Sequence, residues 1–169
     1  MLWSIRAALL LFAVVLWLRI THRHRGTARV FWSIGCALFL VHVGLAFHLV
    51  HHWSHAEAYR ETGRRTAELF GTSSGAGLYF NYLFMVTWIA DVCWWWIAGL
   101  AAYDRRPRWV DVLVYGFMAF MAVNATVVFE KGATRWAGVG VMVLLVWAWA
   151  VRRFGNAMSD DKHAFTNFK

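Results

Sequence analysis

The chain has 169 residues, 60% of them hydrophobic and only 15% charged, and it contains 12 tryptophans and a single proline. A soluble domain carries about 25% charged residues and has no use for apolar runs of membrane-spanning length, so this composition excludes one. The formal charge of +8 would point to nucleic acid in a soluble protein. Here the arginines cluster between apolar runs, so the charge reads as membrane topology with no nucleic-acid partner.

Crossing a hydrocarbon core about 30 Å thick takes roughly 20 apolar residues as a helix. The first such run covers 2–18. It has a basic residue and an apolar core but no small-x-small cleavage site before the arginines, so it is read as a retained span rather than a signal peptide. The second run covers 30–51. Ser54-His55-Ala56-Glu57 then matches the capping box, in which a serine caps a helix and a glutamate three residues on bonds back.

Beyond that box, Ala56, Tyr59, Gly63, Thr66 and Phe70 share one helical face, and Glu61 and Arg65 have the favourable i,i+4 order. Gly71 ends the pattern. The spacing predicts an amphipathic interfacial helix over 54–70, on the outer surface. The third, fourth and fifth runs cover 77–102, 109–130 and 136–152, with Pro107 in the turn between the third and fourth. The polar tail, 155–169, is expected to be loosely ordered.

Basic residues are divided unequally by these runs. Arg19, Arg23, Arg25, Arg29, Arg105, Arg106, Arg108, Arg152, Arg153, Lys162 and Lys169 fall on one side, eleven in all. Arg6, Arg60, Arg64, Arg65, Lys131 and Arg135, six residues, fall on the other. The positive-inside rule places the N-terminus outside and the C-terminus in the cytoplasm, in an expected bacterial plasma membrane. The expected fold is an all-α integral membrane protein. It is a single transmembrane domain over 1–169, a five-transmembrane-helix bundle with the short interfacial helix on its outer side.

The two cysteines, Cys36 and Cys93, both lie inside runs, where a thiol behaves as a small hydrophobe; neither belongs to a CxxC pair. Histidine carries the stronger signal. His48, His51, His52 and His55 fall within eight residues where the second run ends, and His42 precedes them inside it; His22, His24 and His163 lie elsewhere. At about 100° per residue, His48, His51 and His52 occupy one arc of a continuing helix, whereas the capping box restarts the helix at Ser54 and places His55 in the next one. His48 and His52 have the i,i+4 spacing by which two imidazoles share an ion. His51 or His55 would add a third ligand, and Glu130 or Asn81 a carboxylate or hydrogen bond.

Zinc, copper and iron all suit imidazole. Haem b is a further candidate, but only the second run holds intramembrane histidines, so a bis-histidine haem would need a homodimer or another second ligand. Against these stands a polar cap on the second span, bonded to neighbouring helices and water. His48-Leu-Val-His51-His52 resembles one histidine box of the membrane di-iron desaturases and hydroxylases. That resemblance implies a di-iron oxygenase, but it covers five residues, and the family's two further boxes have no counterpart here.

A second polar layer is expected near the bilayer midplane. Counting about 1.5 Å per residue from the inner boundary places His42 at about 18 Å, Asp91 at about 15 Å and Asn124 at about 22 Å. An intramembrane histidine and aspartate together read either as a proton or ion pathway or as a buried pair that fixes helix packing. No phosphate loop, nucleophile elbow or second metal motif is present, so no enzymatic activity is assigned. The expected function is a small multi-pass membrane protein serving as a subunit or accessory factor of a membrane complex. The alternatives are a metal- or haem-binding redox protein and a proton or ion pathway through His42 and Asp91. The expected partners are the lipid bilayer and either further copies of the chain or a larger membrane complex.

Overall fold

A computed structural model describes the backbone of residues 2–21 and 24–166, and the side chains of 3–21 and 24–153. His22, Arg23 and Lys169 of the basic groups lie outside the described residues. The described chain is all-helical, without strands. Its elements are α1 (Leu2–Ile20), α2 (Arg25–Leu49), α3 (His55–Phe70), α4 (Gly77–Asp104), α5 (Arg108–Val123) with a π-helical turn (Asn124–Val128), and α6 (Ala133–Thr166). Five of these, all but α3, contain stretches long and apolar enough to cross a membrane.

The helix ends follow local chemistry. Ser54 caps α3, its hydroxyl accepting from the Glu57 N–H at 3.2 Å, and Gly71 closes the helix in the left-handed conformation, φ 74°. Pro107 stands immediately before α5, where its missing N–H costs nothing. Three bounds differ from the sequence expectation. α2 begins at Arg25 because Gly26-Thr27-Ala28-Arg29 contains nothing that stops a helix. The fourth apolar run changes from α to π winding at Asn124. α6 runs on past the fifth apolar run, its backbone helical to Thr166 with no proline to interrupt it.

α1 packs most extensively on α2, which in turn meets α4; α6 lies against α1 and the π turn. The core between α1, α2 and α4 is aromatic. Trp32 lies 5.0 Å from Trp88 and 5.6 Å from Phe12, ring centroid to centroid. Phe39 lies 4.9 Å from Phe84 and 5.7 Å from Trp88. Gly35 lets the Trp88 ring approach α2, since a Cβ there would sit 3.0 Å from it. Cys36 is buried as expected of a packing thiol, but Cys93 is exposed. On α3 the buried positions are Ala58 and Gly63; Tyr59 is partly exposed but lies against Gly75 and 6.1 Å from the Tyr79 ring, while Phe70 faces outward.

The third run is not one straight helix. Gly99 has φ 77° and ψ 169°, a conformation essentially confined to glycine, and the chain reverses there. Twelve residues of straight helix span about 18 Å, yet the Tyr103 hydroxyl reaches Asp91 at 2.7 Å. Residues 100–106 fold back along the helix that precedes them.

Candidate functional site at the arginine-rich end

The expected histidine arc is not formed. α2 ends at Leu49, and the chain crosses to α3 through His52 and Trp53 in left-handed conformations, φ 46° and 59°. With the helix ended at Leu49, His48 and His52 no longer stand at i,i+4 on one helix. His51 packs edge-on to Phe47, ring centroids 5.5 Å apart, and His48 lies 6.5 Å from the Trp53 ring. His52 Nδ1 lies 3.5 Å from Glu57 Oε2. His55 Nδ1 meets the Tyr82 hydroxyl at 3.0 Å and stacks on its ring. Glu130 lies in the turn between the π segment and α6. Among the described residues no three His, Cys, Asp or Glu side chains are grouped so as to hold a metal ion.

The expected midplane layer is also dispersed. His42 Nδ1 lies 3.4 Å from the Ser4 hydroxyl on α1. Asn124 donates to the Phe120 carbonyl of its own helix at 2.8 Å. Asp91 is level instead with Trp32, which precedes His42 on α2 by ten residues, or about 15 Å along the axis. Reversal at Gly99 shortens the helix that carries Asp91, which moves the aspartate toward the end where the arginines gather.

There Asp91 is 3% exposed and Arg106 6%. Trp32 Nε1 donates to Asp91 Oδ2 at 2.9 Å, and the Tyr103 hydroxyl donates to the same oxygen at 2.7 Å. Arg106 Nη1 donates to Oδ1 at 2.5 Å. The Tyr103 proton being directed at Asp91, the Tyr115 hydroxyl donates to Tyr103 at 2.7 Å. Both oxygens of a buried carboxylate are thereby satisfied by donors from α2, from the reversed segment and from the loop after it.

Arg106 extends the cluster. Its Nε donates to Asp111 Oδ1 at 2.7 Å, while Nη2 lies 2.6 Å from the same oxygen, outside hydrogen-bond alignment. Arg19 from the end of α1 reaches that oxygen too, at 3.1 Å, and its guanidinium carbon lies 4.5 Å from the Tyr115 ring centroid. Arg25 and Asp104 form an ion pair beside them. Burial works against the charge of Arg106, but bonds to Asp91 and then Asp111 outweigh it and raise its pKa above the ordinary value. The guanidinium stays charged, and the cluster is held as ion pairs.

In the sequence Arg19 and Arg106 read only as topology charges. Trp94 and Trp96 are exposed, but Trp95 is buried at 1% and stacks on Tyr103. Gly99 inside an apolar run is the signal that something bends there. It does not say which residues the bend brings together. Comparison with family models, with curated proteins and with solved structures gives no match.

Proposed function

We propose that the chain is an integral membrane protein of five spans, a structural or accessory subunit of a membrane complex, with the arginine-rich end in the cytoplasm. The observation that carries this reading is the closure of Asp91. A proton-carrying acid needs an oxygen open to water or to an exchangeable partner, whereas both Asp91 oxygens are bonded, one of them to a permanent cation. The buried charges bind α2, α4 and the loop before α5 to one another, which is a packing role.

The outward faces support the rest of the reading. α6 is scarcely buried, and Trp136, Trp147 and Trp149 point away from the bundle, as does Trp109 of α5. Such faces suit lipid or the helices of another subunit. The side on which the arginines gather favours a cytoplasmic location for that end.

The test is purification of the full chain in a mild detergent under native conditions. A partner recovered in fixed stoichiometry is the expected result, and a lone monomer without one overturns the subunit reading. Bound metal or a Soret band that disappears on His48→Ala with His52→Ala would replace it with a redox function. Proton flux into liposomes that Asp91→Asn abolishes would replace it with a pathway.

A further inference from the structure

We propose that the cleft at the arginine-rich end seats the phosphate of an anionic glycerophospholipid, an inference that rests on the membrane reading above. The cleft has a volume of about 130 Å³ and is lined by Arg19, Arg25, Trp95, Asp104 and Asp111 among others. Taking about 30 Å³ per water, that is room for about four waters, enough for a tetrahedral phosphate group.

Its donors exceed its acceptors. Trp95 is buried, and its indole N–H has no hydrogen-bond partner among the described residues, the kind of orphan that a bound acceptor satisfies. A guanidinium has five N–H donors. Arg25 gives Nη1 to Asp104 and Arg19 gives Nη2 to Asp111, which leaves other donors on each. Arg19–Asp111 and Arg25–Asp104 pair one for one, so the lining itself is charge-balanced and its spare N–H donors are what favour an acceptor. The surrounding end adds Arg29, Arg105, Arg108 and Arg152, the last bonded to the Ile20 carbonyl where α1 stops. This excess of positive charge attracts an anionic headgroup and repels the ammonium of a zwitterionic one. A phosphodiester offers only acceptors, which is what two guanidinium groups and an indole N–H require.

In the test, the full chain in an uncharged maltoside detergent is titrated separately with short-chain phosphatidylglycerol, with phosphatidylcholine and with inorganic phosphate. Binding is followed by native mass spectrometry and by the thermal midpoint. Saturable binding of phosphatidylglycerol is expected, with phosphatidylcholine at least about tenfold weaker. Arg25→Gln, at a half-exposed position that opens no core, should weaken phosphatidylglycerol about tenfold. Trp95→Phe keeps an aromatic ring beside Tyr103 but removes the N–H, with some loss of buried volume; it should weaken binding about threefold at unchanged helicity.

Equal affinity for the two lipids overturns the proposal, and so does wild-type affinity in both variants. Saturation by inorganic phosphate without any preference for the lipid overturns the lipid source and leaves a free oxyanion as the ligand. Release of the protein from membranes by alkaline carbonate would overturn the membrane reading itself, which is a separate outcome from failure to bind lipid.

Discussion

Trp95 and Tyr103 stack face to face, their ring centroids 4.2 Å apart and their planes within 1° of parallel. Eight residues of straight helix would separate them by about 12 Å. The contact exists because α4 reverses at Gly99, and the same reversal delivers the Tyr103 hydroxyl and the Arg106 guanidinium to Asp91. A glycine in an apolar run, an aromatic pair and a buried ion pair are therefore parts of one local structure.

Gly99→Ala should be among the most disruptive small substitutions in the chain. No side chain crowds the position, so the cost comes from backbone conformation alone, about 1–3 kcal/mol for a Cβ forced into this region. Gly116 is the matched control. It lies within α5 with open space around it, so alanine there should be neutral or stabilise by about 0.4–1 kcal/mol. Thermal midpoints in detergent would show the difference, and near-ultraviolet circular dichroism should lose the Trp95–Tyr103 signal only in the Gly99 variant. A Gly99→Ala protein as stable as wild type would mean that the chain does not turn back at this glycine.

Arg106→Met should cost about 3–5 kcal/mol, because it leaves the Asp91 carboxylate buried without its cation. Asp91→Asn combined with Arg106→Met removes both charges and should recover much of the loss, since a buried pair contributes far less than either member left alone. Arg106→Lys should not substitute for the native residue, because a single ammonium cannot repeat the forked contact to Asp91 and Asp111. Equal destabilisation by the single and double variants would argue against a direct Asp91–Arg106 interaction.

The pattern of apolar runs announced five long helices, and the Ser54–Glu57 capping box and Gly71 marked both ends of α3, because these signals act within a few residues of one another. The polar clusters were less legible. His48, His51 and His52 share an arc only if α2 continues, and nothing local in the sequence shows that it stops at Leu49. His42 and Asp91 fell at similar depths only because residues were counted along a straight third helix. Arg106 looked like a topology charge because its partner lies fifteen residues upstream, and only the turn at Gly99 closes that distance.

The crossing from α2 to α3 offers a contrast between adjacent positions. His52 is held at φ 46°, and a non-glycine residue there is strained by about 1–2 kcal/mol. His52→Gly relieves that strain but gives up about 0.5–1 kcal/mol to the freer unfolded chain. The exposed contact to Glu57 adds little. The thermal midpoint of His52→Gly should therefore stay close to wild type, whereas Ser54→Ala should lose about 1 kcal/mol with its cap. A His52→Gly protein that fails to fold, beside a tolerant Ser54→Ala, would reverse the assignment and make the imidazole the structural group.

Acid should loosen α3 through Glu61. Hydrogen bonds from Arg64 and then Arg65 hold its carboxyl at about 2, against an ordinary value of 4.5. A value depressed in the folded state stabilises fully above the unfolded carboxyl's pKa, and that contribution is lost as pH falls through the folded one. The window therefore runs from about pH 4.5 down to about pH 2. The network lies on the surface, where solvent and salt screen it, so each pair contributes little. Hydrogen exchange across α3, corrected for intrinsic rates, should lose about two- to threefold in protection between pH 5 and pH 2.5. Glu61→Gln should start from the lower protection and change little over the same range. If that variant retained the wild-type pH response, the sensitivity would belong to Glu57 or Glu68, and the Arg64–Glu61–Arg65 contacts would contribute nothing measurable to the helix.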